Sequence, residues 1–132
     1  MKPVLMLALA GLVGASSAPE TAALSEEAQG RLDRALEGRA AEPAVSCVSQ
    51  RLLRNNRSIG ESVILFEGAN GRLYVNRPPA GCPSLEYGRS MLTHTPMSQL
   101  CEGDIVTIFD PVSRFEYGSC GLGNFVPYRR TD

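Results

Sequence analysis

Ser62-Val63-Ile64-Leu65-Phe66-Glu67-Gly68-Ala69-Asn70-Gly71-Arg72-Leu73-Tyr74-Val75-Asn76 is the stretch that decides the fold class of this 132-residue chain. Its first five residues are apolar on both alternating faces, Gly68 to Gly71 supply turn chemistry, and Arg72 to Asn76 resume an extended alternation. Asn-Gly tolerates the positive φ angles of a tight reversal, so residues 62–76 read as a β-hairpin. A second hairpin is predicted over residues 104–120. There Ile105, Thr107 and Phe109 alternate with Val106 and Ile108, Asp110-Pro111-Val112-Ser113 breaks the run, and Phe115, Tyr117 and Ser119 share one face.

Weaker strand signals cover residues 47–53, with Asn55-Asn56 turning the chain, and residues 90–95 and 122–126. Residues 77–83 hold three prolines and read as loop. These readings predict a mainly β domain: a small antiparallel sheet of five to seven short strands, curled into a barrel or a sandwich. Leu85-Glu86-Tyr87-Gly88 and Phe115-Glu116-Tyr117-Gly118 are 30 residues apart, whereas the last three cysteines recur every 19, so the match is not an internal duplication.

The N-terminus has a different character. Lys2 precedes an apolar run from Val4 to Val13 and small residues from Gly14 to Ala18, the pattern of a signal peptide over residues 1–18 cleaved after Ala15 or Ala18. A run this short falls below the ~20 residues a bilayer crossing needs, so no membrane span is expected once the signal is removed. No cysteine precedes Cys47, which leaves no lipid-carrying cysteine near the cleavage point. Residues 19–44 read as a helical arm or linker: Ser25 is a candidate N-cap, Glu26 and Glu27 suit the first turn, and Ala28, Leu32, Ala35, Leu36 and Ala40 follow helical spacing. Residues 45–132 form the predicted β-domain.

After the signal the chain carries 12 arginines and 14 acids, a net charge of −2. No basic field attracts phosphates, and a nucleic-acid partner is not expected. The four cysteines, Cys47, Cys82, Cys101 and Cys120, stand at intervals of 35, 19 and 19. Structural zinc sites bring cysteines into close pairs, so neither a metal nor another cofactor is expected. Behind an export signal the four read as two disulfides, and the expected pairing is Cys82 with Cys101 and Cys47 with Cys120. The second bond would tie the first strand of the domain to the last.

Cys82-Pro83-x-Leu85, Leu100-Cys101-x-Gly103-Asp104-Ile105 and Cys120-x-Leu122-Gly123-x-Phe125-x-Pro127 carry a resemblance, together with Ile64-Leu65-Phe66 and Tyr74-Val75-Asn76. Over residues 45–128 the chain resembles a bacterial family of small exported four-cysteine proteins of unknown function. The resemblance implies one exported domain and supplies no activity.

No catalytic signature is present. His94, the only histidine, lies between Thr93 and Thr95 without a serine elbow motif, and with both bridges formed no cysteine remains as a nucleophile. Glu61, Glu67, Asp104 and Asp110 flank predicted strands, where carboxylates commonly serve as turn formers. Gly118 to Gly123 reads as a bulge or close sheet packing, not a phosphate cradle. Arg129-Arg130 reads as a solvated tail. The expectation is an uncharacterised exported protein, periplasmic or secreted, that acts as a non-catalytic binding or interaction module of the bacterial envelope. Its partner would be a protein, glycan or envelope component held by the loops at residues 77–83 and 95–99. The rival expectations are an inhibitor of an envelope or extracellular hydrolase, and a cell-wall glycan enzyme using paired carboxylates.

Overall fold

The computed structural model describes residue 11 and residues 24–86, 89–94 and 97–131. The expected signal peptide lies outside the described residues apart from Gly11. In chain order the elements are helix α1 (Glu26–Leu36) and ten short strands. The first five strands are β1 (Arg39–Ala41), β2 (Cys47–Ser49), β3 (Leu53–Ile59), β4 (Val63–Gly68) and β5 (Leu73–Asn76). Then come β6 (Ser90–Thr93), β7 (Gln99–Cys101), β8 (Ile105–Phe109), β9 (Glu116–Gly121) and β10 (Phe125–Arg130).

The hairpin over residues 62–76 forms as read. β4 and β5 pair antiparallel, with Leu65 opposite Val75 and Phe66 opposite Tyr74. Asn70 and Gly71 take the positive φ angles, +61° and +71°, that reverse the chain between them. These two strands are the centre of a five-stranded sheet in the order β1-β10-β5-β4-β3, and their apolar character on both faces has a direct cause. Ile64, Phe66 and Tyr74 face one core, which they share with Val48, Leu85, Leu100, Val106, Ile108, Leu122 and Phe125. Val63, Leu65, Leu73 and Val75 face a second core formed with Ala28 and Leu32 of α1.

The molecule is therefore layered: helix, five-stranded sheet, then two smaller sheets, β2-β7 and β6-β8-β9. It is an open sandwich with a helical cover, and of the two predicted forms the barrel is not the one adopted. Ten strands replace the five to seven expected because several are only three or four residues long, set by pairing partners distant in sequence.

Helix α1 starts as predicted. The Ser25 Oγ accepts from the Ala28 N–H at 3.2 Å, with Glu26 and Glu27 in the first turn. It stops at Leu36, short of Ala40, because Gly38 turns the chain at φ +70°. Arg39–Ala41 then adds an edge strand against β10, with Ala40 opposite Arg129. Arg129 and Arg130 accordingly lie in a paired strand and not in a tail. Asn55-Asn56 also departs from expectation. The two residues sit within β3, opposite Glu67 and Phe66, and the reversal comes later at Gly60. β3 is an edge strand with residues 54–57 exposed, so polar side chains there lose little hydration.

Both disulfides are present, with a pairing different from the one expected: Cys47–Cys101 and Cys82–Cys120. Cys47 stands directly opposite Cys101 in the β2–β7 ladder, and Cys82 joins the proline-bearing loop to β9. Spacing governs how costly a loop is to close, whereas strand adjacency decides which cysteines meet. Cys120 is not in the last strand but in β9, opposite Val106 in the β6-β8-β9 sheet, whereas Cys47 is in the separate β2-β7 sheet directly opposite Cys101, so the two do not meet.

Candidate functional site

The residues with catalytic potential are engaged locally. The Glu61 carbonyl accepts from the Cys82 N–H at 2.7 Å and its carboxylate from the Ser84 N–H at 3.2 Å, so Glu61 anchors the proline-bearing loop. Glu67 faces Arg57 at 3.9 Å across the β3–β4 ladder. Asp104 closes the turn before β8, accepting from the Cys101 N–H at 2.8 Å. Asp110 accepts from Val112 and Ser113 at 2.7 and 2.9 Å, and these N–H groups, Ser113 first, hold its carboxyl below the usual aspartate range. Glu61 and Glu67 lie at opposite ends of β4, and Asp104 and Asp110 at opposite ends of β8. Six residues of strand put roughly 20 Å between the members of each pair, beyond the ~10 Å within which glycosidase carboxylates cooperate.

His94 is exposed, with Nε2 2.8 Å from the Thr107 hydroxyl. Among the described residues no group of three His, Cys, Asp or Glu side chains could hold a metal ion. All four cysteines are bridged, so no thiolate is available. Gly118 takes φ +117° beside an irregularity in the β8–β9 register, as a bulge requires. At Gly123 a Cβ would lie 2.4 Å from the Arg77 carbonyl oxygen, so close backbone approach demands glycine.

The two predicted contact loops differ in character. In residues 77–83, Pro78 and Cys82 are buried and Gly81 donates to the Pro78 carbonyl at 2.9 Å, so the loop is anchored to the core at two points while Arg77, Pro79, Ala80 and Pro83 are exposed. Thr95 and Pro96 lie outside the described residues, while Met97 beside them is 70% exposed.

A different surface stands out on the β6-β8-β9 sheet. Val106 and Ile108 of β8 point inward and are fully buried. The opposite face of the same strand carries Ile105, Thr107 and Phe109, with Leu92 of β6 paired to Thr107 and Ser90 to Phe109. Ile105 is 54% and Leu92 47% exposed. Leu92, Thr107 and Phe109 line a groove of about 470 Å³ with Pro111, Arg114 and Glu116. At this end of the sheet Phe115 and Tyr117 meet edge to face at 4.8 Å, and the Arg89 guanidinium lies 3.6 Å from the Tyr117 ring centre.

The hairpin loop beside the groove is held firmly. Asp110 and Phe115 bond through their backbones at 2.9 Å, Arg114 donates to the Asp110 carbonyl at 2.8 Å, and Val112 at the tip is 92% exposed. Arg114 takes φ +63°, a left-handed conformation that costs a non-glycine residue about 1 kcal/mol. Strain retained at a groove-lining position is consistent with a role for that side chain.

The sequence pattern held the signal for this face. β8 is apolar on both sides, as β4 is, but only β4 has a helix over its second side. No family model matches the chain, no curated protein matches it, and no solved structure matches it. The fold and site therefore stand on their own geometry: a helix-covered antiparallel sandwich, disulfide-stapled, with an open apolar sheet face. Two disulfides fit an oxidising, extracellular-type environment, and no described helix is long and apolar enough to cross a membrane.

Proposed function

We propose that this domain is a non-catalytic interaction module of the bacterial envelope, acting in the periplasm and binding a protein partner through the outer face of β6-β8-β9. The observation that carries this reading is the exposed apolar outer face of this small sheet, where Leu92 and Ile105 stand open, Phe109 lines the groove beside Leu92, and Val112 projects from the adjoining hairpin loop. Contiguous apolar surface rimmed by charge is characteristic of protein contact sites, and here Arg114 and Glu116 form that rim. The resemblance to small exported four-cysteine proteins belongs to the same proposal and is compatible with an accessory, non-enzymatic role.

The test uses protein purified from its own host with and without Leu92→Asp. A partner that co-purifies with the parent and is lost with the variant, at unchanged melting temperature, is the expected result. Equal recovery with both proteins refutes the assignment of this face.

Inhibition of an envelope or extracellular hydrolase is a second reading, favoured by the hairpin loop alone. Asp110 fixes the loop through four hydrogen bonds to its backbone, and Val112 projects from it, so little conformational entropy would be lost on entering an active site. Inhibition of a lysozyme or protease that disappears with Val112→Asp supports this reading, and a uniformly negative screen removes it.

A further inference from the structure

On the other side of the inner core, where β3 leaves the edge of the five-stranded sheet, a second cavity has a different chemistry. Gln50 follows β2 and is fixed there by its backbone N–H, which donates to the Ser98 carbonyl at 2.9 Å, and by the nearby Cys47–Cys101 bridge. Its side-chain Nε2 is buried and has no hydrogen-bond partner among the described residues. A buried amide donor left unpaired costs about 1–3 kcal/mol, and folded proteins keep few of them.

This side chain lines a cavity of about 150 Å³, together with Phe66, Met91 and Leu100 from three different strands and Arg54 from β3. The lining contains one guanidinium and no carboxylate. Arg54 is exposed and forms no ion pair among the described residues. A cavity near 150 Å³ has room for a benzene-sized molecule. The lining is mixed: Leu53, Phe66, Met91 and Leu100 form an apolar side that suits a short hydrocarbon body. The polar side, with Asn55, Asn56 and Thr93, presents the Gln50 amide and the Arg54 guanidinium, donors that suit an anionic oxygen group.

We propose that this cavity is a binding site for a small monocarboxylate with a short apolar chain. The carboxylate accepts from Gln50 Nε2 and pairs with Arg54, and the chain lies against Phe66, Met91 and Leu100. The site shares no lining residue with the groove on β6-β8-β9, so either proposal can fail without the other.

Nuclear magnetic resonance of the full, oxidised protein tests it with three probes of equal size: pentanoate, pentanol and pentylamine. The expected result is a saturable shift of the Gln50 side-chain amide and the Met91 methyl with pentanoate. Pentanol should bind at least ~10-fold more weakly and pentylamine not at all, as loss of a charge-assisted hydrogen bond implies. Arg54→Gln, at an exposed position, should weaken pentanoate ~10-fold and erase its advantage over pentanol while the rest of the spectrum is unchanged. A Gln50 amide unmoved by millimolar pentanoate, or an equal response to all three probes, overturns the proposal.

Discussion

The Asn76 side chain and the Gly123 backbone form a closed pair: Asn76 Nδ2 donates to the Gly123 carbonyl at 2.8 Å, and the Gly123 N–H donates to Asn76 Oδ1 at 2.9 Å. Asn76 is wholly buried at the end of β5, and Gly123 lies in the link from β9 to β10. One amide thus satisfies both backbone groups of a chain segment that has left the sheet ladder, and it joins the small sheet to the central one. Asn76→Ala leaves both Gly123 groups unpaired and should cost about 2–4 kcal/mol. Asn76→Asp keeps the acceptor but sets a buried carboxylate against a carbonyl, which raises the folded-state pKa. Stability linked to that raised pKa is present at low pH and is lost as pH rises, so the deficit of Asn76→Asp should be smaller at pH 4 than at pH 7 in denaturant melts. A deficit independent of pH would contradict the pairing.

Gly123→Ala should destabilise by about 2–3 kcal/mol, because its methyl group meets the Arg77 carbonyl and the backbone has to move. The check is a urea midpoint at unchanged slope. A neutral substitution would mean that the two segments are further apart than described.

Peptide mapping of the oxidised protein should link Cys47 to Cys101 and Cys82 to Cys120. The second bond closes a 38-residue interval, and replacing both Cys82 and Cys120 by Ser should cost about 4 kcal/mol in the chain-entropy account. A Cys82–Cys101 peptide would contradict the strand order itself, since Cys101 is held against β2.

Leu32 is 1% exposed between α1 and the five-stranded sheet. Leu32→Ala should lower stability by about 3 kcal/mol within a single cooperative transition. Separate melting of the helix would show that it is not part of the same core.

Asp110 titrates below the ordinary aspartate value because Ser113 and Val112 donate to its carboxylate. A lowered folded-state pKa contributes stability above the unfolded value and loses it as pH falls through the folded value. The advantage of the parent over Asp110→Ala should therefore be full at neutral pH and vanish in strong acid. An Asp110 carboxyl resonance titrating at or above the ordinary range would contradict the loop geometry.

Much of this was legible in the sequence. The Asn70-Gly71 reversal, the hairpin around Asp110 and the Ser25 cap are local, and each formed where residue chemistry placed it. Features fixed by distant partners were not. β7 is three residues long and exists only because β2 lies beside it, and Asn55-Asn56 follow the strand because β4 supplies the ladder. The cysteine pairing failed for the same reason. Among the site residues, the alternation of Ile105, Thr107 and Phe109 was visible, but alternation alone does not say which side of a strand lacks cover. The Gln50 cavity left no local signal, since its walls come from β3, β4, β6 and β7.

The central claim, that β6-β8-β9 is the contact face, is tested most directly by site-specific photocrosslinking in the native host. A photoreactive residue at position 92 samples the open sheet face, and one at position 33 samples the exposed side of α1 on the opposite layer. The account predicts a discrete crosslinked protein from position 92 and none from position 33. Crosslinking of the same protein from position 33 alone, or from neither position, would contradict it.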